Sequence, residues 1–172
     1  MEQLHKVSRG VLAAAAMLLA GACDRTASGR PPEQRGVSGA HLILPAVPGR
    51  PGVLYFVLQS DPRYASAADV QRLRGVSVTG AGRAEIHQSM SHGGMSMMRP
   101  LASVPLRNGP NRFCPDGLHV MLFDLDPKLK AGGEATFRLD FGAGEPLTAR
   151  AAVLGFGQKP ARDEPFDCTT KV

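Results

Sequence analysis

The sequence has no tryptophan and only two tyrosines, and aromatic residues fill 5% of its 172 positions. Its 20 Lys and Arg exceed its 15 Asp and Glu by a formal +5, yet the cations are scattered rather than clustered. That balance leaves no electrostatic footprint for nucleic acid. There is no long helical period, no internal repeat and no glycine-rich phosphate loop, so helical bundles, solenoids and nucleotide-binding loops are set aside. Enzyme signatures are missing too. Without an HExxH zinc motif, a nucleophile elbow, a Cys-His motif or paired carboxylates, nothing assigns catalysis to the chain. The apolar run from Val11 to Leu19 is too short to span a bilayer as a mature helix.

That run follows Lys6 and Arg9, and together they read as an export signal over residues 1–22. Leu19-Ala20-Gly21-Ala22-Cys23 resembles a bacterial lipobox, in which Cys23 becomes the lipidated first residue. Ala20-Gly21-Ala22 also suits ordinary signal peptidase, so lipidation and simple secretion both stand. Either route places the domain in the periplasm or cell envelope. Lipidation would anchor it to the membrane, and Asp24 resembles the signal that keeps some lipoproteins at the inner membrane. Removing residues 1–22 discards two cations and one anion, which leaves 150 residues at +4, the size of one domain. With Cys23 taken for lipid, Cys114 and Cys168 form an even pair in an oxidising compartment and read as a disulfide. A rival reading makes Cys114 a metal ligand.

Residues 23–38 contain almost no large apolar side chains and two adjacent prolines, and they read as a tether. From 39 to 157 the chain is rich in short apolar runs: His41 to Leu44, Val53 to Gln59, Leu73 to Thr79, Arg83 to Gln88, Leu118 to Asp124, Ala135 to Phe141 and Leu147 to Leu154. With 14 Pro and 20 Gly as punctuation, the pattern predicts an all-β fold, a sandwich or Greek-key barrel of about seven to nine strands. Ser60 to Arg72 reads as an insertion holding a short helix. Residues 158–172 form a tail that the disulfide would tie back to the domain.

Alternation along two of these strands sorts their side chains. In Arg83 to His87, Ala84 and Ile86 face inward, which turns His87 outward beside Glu85. In Leu118 to Leu122, Leu118, Val120 and Leu122 make a core stripe, so His119 and Met121 share the other face. Between them, the stretch His87 to Met98 reads HQSMSHGGMSMM and packs two His and four Met around a Gly-Gly turn. Exposed thioethers are open to oxidation in an envelope compartment, so neither core filling nor ordinary loop chemistry explains the density. Thioether sulfur is a soft, neutral donor that favours Cu(I) over hard cations and zinc. A mixed imidazole and thioether set names copper, and neutral ligands leave the ion free to be handed on.

His87 and Met98, with ten residues between them, followed by His119-x-Met121, make a pattern that resembles the periplasmic copper chaperone family called PCuAC. Twenty residues separate Met98 from His119, where that family typically has twenty-one, and the difference falls in the Asn108 to Asp116 region, read as a turn. The resemblance runs from about Ser38 to Gly157. It implies a cupredoxin-like β fold in which His87, Met98, His119 and Met121 converge on one Cu(I) at an exposed rim. It also implies delivery of copper to the binuclear CuA centre of cytochrome c oxidase, with the oxidase subunit or another copper chaperone as partner. A monomer, with no nucleic-acid partner, is expected. Met90, His92, Met95 and Met97 go beyond the four-residue pattern; they read either as capture ligands for a second copper, Cu(II) included, or as a polar hairpin tip. Two rivals stand. An electron-transfer cupredoxin would use Cys114, His119 and Met121, and a metal-free envelope lipoprotein would use the Met-rich loop as a protein contact.

Overall fold

A computed structural model describes residues 36–60, 72–92, 95–142, 145–160 and 168. The export signal, Cys23, most of the tether and the expected helix inside Ser60 to Arg72 lie outside the described residues. Eleven strands are formed: β1 Val37–Ile43, β2 Gly52–Ser60, β3 Arg72–Leu73, β4 Gly75–Val78, β5 Ala81–His92, β6 Met95–Pro100, β7 Val104–Pro105, β8 Gly109–Phe113, β9 Leu118–Leu125, β10 Glu134–Asp140 and β11 Leu147–Leu154. Nine of them make one sheet in the order β4-β10-β11-β1-β2-β8-β9-β5-β6, and β3 pairs with β7. β1 with β11 and β8 with β9 are parallel, and the other pairings are antiparallel.

β4 and β5 lie near opposite ends of that order but pack against each other across the Thr79-Gly80 connection. The sheet therefore rolls on itself, and its inner face becomes the core. β10 shows why the sequence folds this way. Ala135, Phe137 and Leu139 are buried while Glu134, Thr136, Arg138 and Asp140 are exposed, a strict period of two. Val78, Leu54, Phe56, Ile86, Val120, Leu122, Ala149, Ala151 and Val153 extend the same core across the other strands. Phe56 stacks on Phe113 at 4.2 Å between ring centres and tilts against Phe137 at 5.4 Å.

β8 occupies the region read as a turn. Gly109, Pro110 and Asn111 look like punctuation, yet the Asn111 side chain holds the segment in the sheet. Its amide donates to the carbonyls of Arg107 at 2.9 Å and Gly109 at 3.1 Å, and its oxygen accepts from the Arg107 N–H at 2.8 Å. Phe113 then fills the core. The disulfide between Cys114 and Cys168 is formed, with 5.9 Å between its Cα atoms. Closing a separation of 54 residues contributes about 4 kcal/mol by restricting the unfolded chain.

Candidate metal centre

β5 and β9 place the two histidines. Their antiparallel register sets His87 directly opposite His119, with Glu85 opposite Met121, Ile86 opposite Val120 and Gln88 opposite Leu118. Ile86 and Val120 point into the core, so His87, His119, Glu85 and Met121 share the other face. That face is far from fully wet. His119 is 3% exposed and the His87 side chain 14%, and their ring centres stand 6.0 Å apart.

Each ring has one nitrogen assigned by what it touches. The Gly117 carbonyl can only accept, so His119 donates Nδ1–H to it at 3.1 Å and carries its lone pair on Nε2. That Nε2 is buried and has no hydrogen-bond partner. The Glu85 carboxylate accepts Nε2–H from His87 at 3.0 Å, which leaves Nδ1 of His87 with the lone pair. Burial, with His87 adding a smaller effect against the Gly117 bond, pushes the His119 pKa below its ordinary value. His119 is thereby held as a neutral imidazole. The bond from His87, and after it the cation of Arg83, pull the Glu85 pKa down and keep it ionised. Arg83 donates to Glu85 and also lies over the Phe123 ring at 4.0 Å.

A buried imidazole nitrogen with no partner costs free energy unless something fills the position. Two imidazoles each donating one N–H to an oxygen and offering the other lone pair are the arrangement metal-binding histidines adopt. Rings sharing one ion through bonds of about 2 Å have centres at most about 6.4 Å apart, and 6.0 Å lies inside that limit. Among the described residues no three His, Cys, Asp or Glu come together as a metal cluster.

The methionines are placed unequally. Met121 is two residues along β9 from His119, on the same face, diagonal to His87 and half-buried. Met98 also shares that face, but its partner on β5 is Ser89, while His87 is paired with Pro100. It is 59% exposed. Met98 and Met121 thus occupy opposite corners around His87, two strands and four residues apart, which is roughly 16 Å on a flat sheet. The structure brings His87, His119 and Met121 together and leaves Met98 at the outer edge. The cause is the hairpin register: Met90 pairs with Met97 and His92 with Met95, which places Met90, Met95 and Met97 on the reverse face. Cys114 is taken by the disulfide and offers no thiolate.

Sequence reasoning saw Glu85 beside His87 but not its bond to the ring. The spacing of Arg83, Glu85 and His87 at every second residue of one strand was the available signal. Nothing in the sequence marks the Gly117 carbonyl.

The rolled all-β sheet is a cupredoxin-like fold shared with PCuAC domains. The copper-bound PCuAC domain from PmoF2 is similar at 21% identity over 69% of this chain and 91% of that chain, with a TM-score of 0.52. The solution structure of apo-DR1885 from Deinococcus radiodurans is similar at 22% identity over 89% of this chain and 97% of that one, with a TM-score of 0.42. No curated protein sequence matches the chain. Residues 37–153 match the family described as "Putative lipoprotein LpqE-like", and the chain belongs to this LpqE-like family.

Proposed function

We propose that this protein is an envelope Cu(I) chaperone that carries the ion between His87 Nδ1 and His119 Nε2. Met121 is the nearest thioether. Met98 is a fourth donor, which reaches the ion when the exposed edge strand β6 curls over the face. The observation that carries the reading is the buried, partnerless Nε2 of His119 on a ring whose centre stands 6.0 Å from that of a second imidazole, itself bonded to Glu85. The copper-bound state of a domain with the same fold supports it. Imidazole and thioether are neutral, so the ion keeps its charge and no thiolate locks it in place; both favour release to an acceptor. We further assign the acceptor as the CuA centre of cytochrome c oxidase or a chaperone that serves it. The cell envelope is the compartment, with a lipid anchor on Cys23. An anchored donor searches the same surface as a membrane-bound acceptor and gains effective concentration.

An anaerobic competition titration with a Cu(I) chelator tests the reading. His119→Ala is expected to abolish tight binding, Met121→Leu to weaken it at least tenfold, and Met98→Leu to weaken it less than Met121→Leu. Unchanged affinity in His119→Ala would overturn the proposal. A metal-free protein-binding lipoprotein would show no copper retained by the wild type after gel filtration.

A further inference from the structure

The reverse face of the β5–β6 ribbon carries a second set of soft donors. β9 pairs with β5 no further toward the hairpin tip than Gln88, with one more backbone bond from Ser89 N–H to the Gly117 carbonyl. Beyond that point β5 and β6 form a two-stranded ribbon with no third strand beside it among the described residues. Alternation puts Met98 on the His87 face, and it puts Met90, Met95 and Met97 on the other. Met90 and Met97 are direct cross-strand partners, a relation that holds Cβ atoms about 5 Å apart. Met95 is two residues from Met97 on the same strand and diagonal to Met90, at about 7 Å. The three thioethers therefore start from one compact triangle, far tighter than the spacing of Met98 and Met121. His92 holds the register position opposite Met95.

None of the three is used by the core. Met90 is 37% exposed, Met97 49% and Met95 67%. Three unbranched apolar side chains on one face of an edge ribbon expose oxidisable sulfur outside the core, with limited packing to offset it. Soft metal capture supplies the missing reason. Three neutral sulfurs suit Cu(I), and none of the hard cations or zinc is well served by them.

We propose that Met90, Met95 and Met97 form a second Cu(I) site on the reverse face of the β5–β6 ribbon, separate from the histidine pair and filled after it. The ion there is held by sulfur alone, near the exposed edge where a donor or acceptor can approach. This site does not depend on the His87 and His119 reading, because no donor is shared between the two faces.

The test is an anaerobic Cu(I) titration of the full chain against a chelator, with the methionine Cε methyl groups followed by NMR. Wild type is expected to take two equivalents, and the first should leave the Met90, Met95 and Met97 methyl signals in place while the second shifts them. The surface triple variant Met90→Leu, Met95→Leu, Met97→Leu should take one equivalent at unchanged tight affinity. A variant with His87→Ala and His119→Ala should lose the tight equivalent and keep the weak one. Saturation of the wild type at one equivalent, or a triple variant that still takes two, overturns the proposal. A His87→Ala, His119→Ala variant that still keeps the tight equivalent marks failure of the histidine site and leaves the methionine site standing.

Discussion

Glu85 does for His87 what the Gly117 carbonyl does for His119: each takes one ring N–H and so decides which nitrogen keeps its lone pair. The two acceptors differ in one respect. The carbonyl belongs to the backbone and cannot be removed by substitution, whereas the carboxylate can. Glu85 is ionised and also paired to Arg83, so it offers His87 a charged acceptor and lends negative potential beside the site proposed for a cation. Replacing it by Gln keeps the shape and removes the charge. Glu85→Gln is expected to weaken Cu(I) binding by about 10- to 100-fold with the fold intact, the usual cost of losing an outer partner of a metal-bound histidine. Chelator competition together with circular dichroism checks this, and an affinity within twofold of wild type would show that Glu85 does not set the ring. For His119, burial, with a smaller push from His87 and against the Gly117 bond, holds the pKa below its ordinary value.

At the scale of the element, what the sequence revealed depended on how cleanly a strand alternates. β11 runs over the predicted Leu147 to Leu154 because Ala149, Ala151 and Val153 are buried between more exposed neighbours, and β9 runs over Leu118–Leu125 on the stripe Leu118, Val120 and Leu122. β5 continues to His92, past the predicted end at Gln88, because β6 pairs with it. β6 itself carries no core residue, since every position from Met95 to Pro100 is exposed, and a strand without a buried stripe has no periodic signal to read. β8 was hidden for the opposite reason: it is short, opens with Gly-Pro-Asn, and depends on the Asn111 side chain and on Phe113 reaching across to Phe56. Its weight in the core is nonetheless large. Phe113 is fully buried, and Phe113→Ala is expected to cost about 3 to 5 kcal/mol in urea unfolding, leaving a cavity against Phe56. A loss under 1 kcal/mol would mean that β8 is not part of the folding unit.

Over the whole molecule, a rolled sheet brings two faces to very different uses. The inner face is apolar and fixes the register of β5 against β9; a slip of β5 by one residue would turn His87 inward and away from His119. Core packing thus sets the two imidazoles side by side on one face. The disulfide from Cys114 to Cys168 adds a constraint just before β9 and removes the thiolate that an electron-transfer copper site would need. The sequence carried the residue types and the face that His87, His119 and Met121 share. It did not carry the hairpin register, which separates Met98 from Met121 and divides the methionines between two faces. The central claim is that two neutral imidazoles grip one soft ion. Copper K-edge X-ray absorption on the anaerobic protein, loaded with less than one equivalent of Cu(I), measures this directly. Two imidazole nitrogens with thioether sulfur beside them, falling to one nitrogen in His119→Ala, is the predicted result; a shell of sulfur alone, or a nitrogen count untouched by that substitution, would contradict it.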